Sequence, residues 1–74
     1  MKNYLLDVVL EKDEHGYFVH CPSLQGCYSQ GETYEEAIEN ISDAIKLHLK
    51  DRVAAGEAVP RSQSICVASL QIAL

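Results

Sequence analysis

The chain opens on an alternation of apolar and polar positions. Across Lys2–Glu11, Tyr4, Leu6, Val8 and Leu10 fall on one side, with Leu5, Asp7, Val9 and Glu11 on the other. A period of two is the mark of a half-buried strand, and the first side is the cleaner apolar face. A charged turn, Lys12–Gly16, leads into Tyr17–Cys21, where Tyr17, Val19 and Cys21 alternate with Phe18 and His20. Two such runs around a turn predict a hairpin. Placing Leu10 opposite Tyr17, Val8 opposite Val19 and Leu6 opposite Cys21 keeps every pair on the apolar face, so this register is expected. Pro22 cannot donate to a sheet ladder, and Gly26 and Gly31 permit backbone angles that other residues resist. The two glycines therefore bracket Cys27–Gln30 as a short third strand.

The period then changes. Tyr34, Ala37, Ile38, Ile41, Ala44, Ile45, His48 and Leu49 form one stripe at 100° per residue, predicting a helix from Thr33 or Tyr34 to about Val53. Thr33 and Glu36 have capping-box spacing. Glu35, Glu36 and Glu39 crowd its start and Lys46, Lys50 and Arg52 its end, as the helix dipole favours. Gly56 and Pro60 mark the stop, and a connector to Gln63 follows. Ser64–Leu74 alternates again, with Cys66, Ala68, Leu70 and Ile72 opposed to Ile65, Val67, Ser69 and Gln71. The expected fold is α+β in a single domain, residues 1–74. It is a four-stranded mixed sheet in the order 3-2-1-4, built β-β-β-α-β, with one long helix packed on one face.

One helix covers one side of such a sheet. The other side is expected to carry Leu5, Asp7, Val9, Phe18, His20, Tyr28, Gln30, Val67 and Ser69, a patch mixed enough to be an association surface. Leu5, Val9, Phe18, His20, Tyr28 and Gln30 are the candidate interface residues, covered by a partner or by a second copy of the chain. A chain of 74 residues has a thin core, which also favours homo-oligomers.

Charge narrows the partner. With 11 acidic and 6 basic residues the net charge is −5, which repels phosphate backbones and argues against autonomous nucleic-acid binding. A basic protein partner fits better. No apolar run is long enough to span a membrane, and acidic residues interrupt the N-terminal apolar stretch, so no signal peptide is read and a cytoplasmic protein is expected. The three cysteines, Cys21, Cys27 and Cys66, lack paired spacing and read as reduced, packed side chains rather than a disulfide or a zinc site. No cofactor is expected.

Catalysis also finds no support. Asp7 falls on the face away from the helix, while Glu36 and Asp43 lie outside the helix stripe, so these carboxylates have no reason to converge on a metal ion. His20 and Cys21 are neighbours on a strand and point to opposite faces, which prevents a nucleophile–base pair. His48 reads as a packed helical residue and His15 as a solvated turn residue. The protein is not expected to be an enzyme.

Residues Cys21, Pro22, Leu24, Gly26, Cys27, Ser29, Gln30, Gly31, Thr33, Glu35, Glu36, Ala37 and Asn40, preceded by Gly16 and Tyr17, resemble the signature of the HicB-like antitoxins. The resemblance runs from about residue 2 to residue 50. It implies a partial ribonuclease-H-like fold that binds and occludes a small basic toxin ribonuclease of the HicA type, with Phe18, His20, Tyr28 and Gln30 as candidate contacts. Many such proteins carry a DNA-binding module after this fold. No recognition helix is read in the present sequence, so that role is not carried over. The competing expectation is an orphan, self-assembling domain that binds a small ligand or another protein and has no toxin.

Overall fold

The computed structural model describes residues 2–61 and 64–74. Its elements are β1 (Val9–Asp13), β2 (Gly16–His20), β3 (Tyr28–Gly31) and α1 (Tyr34–Ala54). The strands form an antiparallel sheet in the order β1-β2-β3, with the helix packed against β3 and β2. The fold is α+β.

The hairpin register differs from the sequence expectation by two residues. Leu10 lies opposite Val19 and Lys12 opposite Tyr17, with Asp13 facing Gly16. The turn is tighter than expected because the Asp13 carboxylate accepts a hydrogen bond from the His15 amide at 2.8 Å, and Gly16 takes φ = 134°. A slip of two preserves the side-chain faces, so the residues assigned to the core side stay there. The first strand also begins later, at Val9 instead of Lys2. Val9 pairs with His20, where β2 ends, and the Cys21 amide then donates to the Cys27 carbonyl at 2.9 Å. Residues upstream of Val9 meet no strand to pair with, although Leu6 and Val8 still pack against the core.

Between β2 and β3 the chain folds inward. Cys21, Leu24 and Cys27 are buried, held by Leu24 donating to the Cys21 carbonyl and Cys27 donating to the Leu24 carbonyl. Gly26 allows this loop by taking φ = 77°. Gly31 serves a different purpose from the one expected, since its φ is not positive. A Cβ there would lie 2.5 Å from the Ala37 amide nitrogen, so glycine lets the helix start close against the end of β3. Thr33 caps that start, its hydroxyl accepting from the Glu36 amide at 3.1 Å. Asn40 adds a tether, donating to the Gln30 carbonyl at 2.8 Å on the outer edge of β3.

The core is Val19, Cys21, Leu24, Cys27, Ala37 and Ile41, with Leu6, Val8, Leu10, Tyr17, Ala44, Ile45 and Leu49 around it. Of the expected helix stripe, Ala37 and Ile41 are fully buried, whereas Tyr34 is exposed and meets Tyr17 edge to face at 6.3 Å. The helix ends in a Schellman turn, with Gly56 donating to the Val53 carbonyl and Glu57 to the Arg52 carbonyl.

The expected fourth strand does not form within the chain. Residues 64–74 carry no helix or strand, and all of them are exposed, so the sheet has three strands and β1 is an open edge. Ser62 and Gln63 of the expected connector lie outside the described residues.

Candidate partner-binding surface

The sheet face opposite the helix is built by alternation. Val19 is fully buried under the helix, so its neighbours Phe18 and His20 must point the other way. Strand pairing then sets two rows across that face. Val9, His20 and Tyr28 form one row, and Glu11, Phe18 and Gln30 form the next. The Phe18 ring stacks on Tyr28 at 6.0 Å and lies 6.4 Å from the His20 ring. Phe18 is nevertheless 42% exposed and Tyr28 64%, because none of the described residues covers them.

Five of the six candidate residues are thus brought together, namely Val9, Phe18, His20, Tyr28 and Gln30. Leu5 is not. It is 82% exposed but lies upstream of β1, outside the sheet. Asp7 also precedes the strand, and Val67 and Ser69 belong to the unpaired segment 64–74, so these three do not contribute to the face as expected.

Beside the aromatic rings the structure adds a feature that the sequence reading missed. An open depression of about 850 Å³ runs over the hairpin end and the start of the helix, lined by Glu11, Asp13, Glu32 and Glu36 together with His15, Phe18, Gln30 and Asn40. These carboxylates come from β1, the β3–α1 junction and the first helical turn. Among the described residues, no Lys or Arg lines the depression. Glu11 was legible as a neighbour of Val9 on the outer side of the first strand, but the approach of Glu32 and Glu36 depends on the close Gly31–Ala37 packing.

Burial, and then the neighbouring Cys21, push the Cys27 thiol above its ordinary range, so it is not poised as a nucleophile at neutral pH. Among the described residues, no group of three or more His, Cys, Asp or Glu side chains could hold a metal ion. No helix among them is long and apolar enough to cross a membrane.

A sheet covered on one side by a helix, with aromatic rings bare on the other and carboxylates gathered across the hairpin end, defines a small α+β module with one open face. The family model describing the HicB-like antitoxin of bacterial toxin–antitoxin systems matches residues 6–72, and the chain belongs to that family. It is 46% identical over 69 residues to a UPF0150 protein of Helicobacter pylori, covering 93% of this chain and 96% of that one. A UPF0150 protein of Synechocystis is 46% identical over 63 residues, covering 84% of this chain and 80% of its own. One from Thermoplasma acidophilum is 40% identical over 58 residues, covering 77% of this chain and 84% of its own. No solved structure matches the chain. Family membership supports an antitoxin role in general, with a toxin as partner.

Proposed function

We propose that the protein is the antitoxin of a pair whose toxin is a small basic ribonuclease of the HicA type, and that it acts by covering the toxin's active site. The observation that carries this reading is the junction of the Phe18–Tyr28 stack with the depression lined by Glu11, Asp13, Glu32 and Glu36. An enzyme that grips RNA presents positive charge where it binds phosphates, and a cluster of carboxylates opposes that charge. The half-exposed rings supply apolar area that is dehydrated on docking, which slows release. No bond is made or broken. The proposed contact residues are Phe18, His20, Tyr28 and Gln30, with Val9 at the border and the four carboxylates as the steering group. Leu5 is left out because it stands apart from them.

Co-expression with a small basic protein encoded beside this chain tests the reading. The expected result is co-purification and relief of the growth arrest that the neighbour causes alone. A neighbour that arrests growth equally in the presence of this chain, and does not co-purify with it, contradicts the reading. Nothing in the proposal requires a cofactor or nucleic acid, and it places the protein in the cytoplasm, where such a toxin acts.

A further inference from the structure

The chain leaves two complementary parts of itself unsatisfied. The first is a groove of about 580 Å³ between the stretch that leads into β1 and the helix, lined on one wall by Tyr4, Leu6 and Val8 and on the other by Ile38, Ile45 and Leu49. The second is the segment Ser64–Leu74, which contains no charged residue and exposes Ile65, Val67, Leu70 and Ile72. As an extended strand it would carry apolar residues on both faces, Ile65 and Val67 on one and Leu70 and Ile72 on the other, as a strand does when it is meant to be covered on both sides.

Size shows how far the chain is from closed. It exposes 6318 Å², roughly 1,800 Å² more than a compact protein of its mass would. Its radius of gyration is 14.5 Å, against about 11 Å for a compact chain of this length. The excess is comparable to the total area that a stable protein interface buries.

The exit from the helix explains why the segment does not turn back. The Schellman turn fixes the chain at Gly56, and Arg52 then holds the next residues, donating to the Ala58 carbonyl at 3.3 Å and pairing with Glu57 at 3.8 Å. Pro60 follows and keeps Val59 extended. A short, braced hinge of this kind directs a terminal element away from its own body and favours exchange between copies.

We propose that residues 64–74 of one copy dock in the Tyr4–Leu49 groove of a second copy, reciprocally, as a strand beside the partner's first strand. The sheet order 3-2-1-4 that the sequence suggests is then completed between chains. The segment spans roughly 36 Å when extended. The groove, followed along the helix from Ile38 to Lys50, spans roughly 18 Å, so the reach is sufficient. The exchange also closes the β1 edge, which would otherwise template unwanted pairing. It leaves the Phe18–Tyr28 face free, so it is independent of what that face binds.

Light scattering on the full chain gives the first test, with a dimer or a multiple of it expected. Leu70→Asp combined with Ile72→Asp should raise the dimer dissociation constant about 100-fold or more while the helical circular-dichroism signal stays unchanged, since both residues are exposed within one chain. Cross-linking supplies the second test. Cys66 is the exposed cysteine, whereas Cys21 and Cys27 are buried. Chains keeping Cys66 are mixed with chains carrying Cys66→Ala and Lys46→Cys, then treated with a flexible bis-maleimide. A covalent heterodimer is expected. A strict monomer, an oligomer indifferent to the Asp substitutions, absence of the heterodimer, or a monomer-mass product when Cys66 and Lys46→Cys share one chain would each overturn the exchange.

Discussion

Among the glycines, Gly31 leaves the least room for a side chain. With a Cβ placed 2.5 Å from the Ala37 nitrogen and 2.9 Å from the Glu36 carbonyl carbon, Gly31→Ala must push the helix start away from β3. That shift strains the Thr33 cap and the Asn40 tether together, so a loss of about 1–3 kcal/mol is expected, read as a lower urea midpoint. An unchanged midpoint would mean that the helix start is free to move. Cys27 gives a second prediction at this scale. Its folded pKa lies above the ordinary 9.0, so the neutral thiol is the form the fold prefers. The stability it contributes is fully present below 9.0 and is lost as pH rises through the higher folded value. Urea midpoints taken from neutral pH upward should fall on the alkaline side, and Cys27→Ala should flatten that fall. An equally steep fall in the variant would assign it to other groups.

The sheet shows what alternation can and cannot convey. Val19 and Phe18 are adjacent in sequence and opposite in consequence. Val19→Ala opens a void in the buried core and should cost about 2 kcal/mol, whereas Phe18→Ser should change stability by less than about 1 kcal/mol. Comparable urea-midpoint losses for both would mean that the sheet does not have one bare face. The faces of the strands, the bounds of the helix and its Thr33 cap were legible in the sequence, because each is set by neighbours one to four residues apart. The hairpin register was not, because the Asp13–His15 hydrogen bond chooses a tighter turn than the charge pattern suggests. The late start of β1 was hidden for a related reason: the extent of a strand depends on its partner, and β2 ends at His20. Likewise Glu11, Glu32 and Glu36 are scattered in sequence and share a depression only after the β3–α1 junction closes.

For the whole molecule, four carboxylates gather where the aromatic face meets the hairpin end, so under the proposed function charge governs encounter and apolar area governs lifetime. Raising salt should slow association with a basic toxin more than it hastens dissociation, as stopped-flow rates would show. Equal effects on both rates would remove the steering role of the carboxylates. The segment 64–74 belongs to this scale as well. Its strand-like pattern was evident from sequence, but whether such a strand closes its own sheet or another's is decided by the braced exit at Arg52 and Pro60, beyond the reach of local periodicity. The most direct test of the proposed function is calorimetric titration of the full chain with a small basic protein of the HicA type encoded beside it. The account predicts a tight complex, weakened about tenfold or more by Phe18→Ser with no change in fold. Absence of binding, or an affinity that Phe18→Ser leaves untouched, would contradict it.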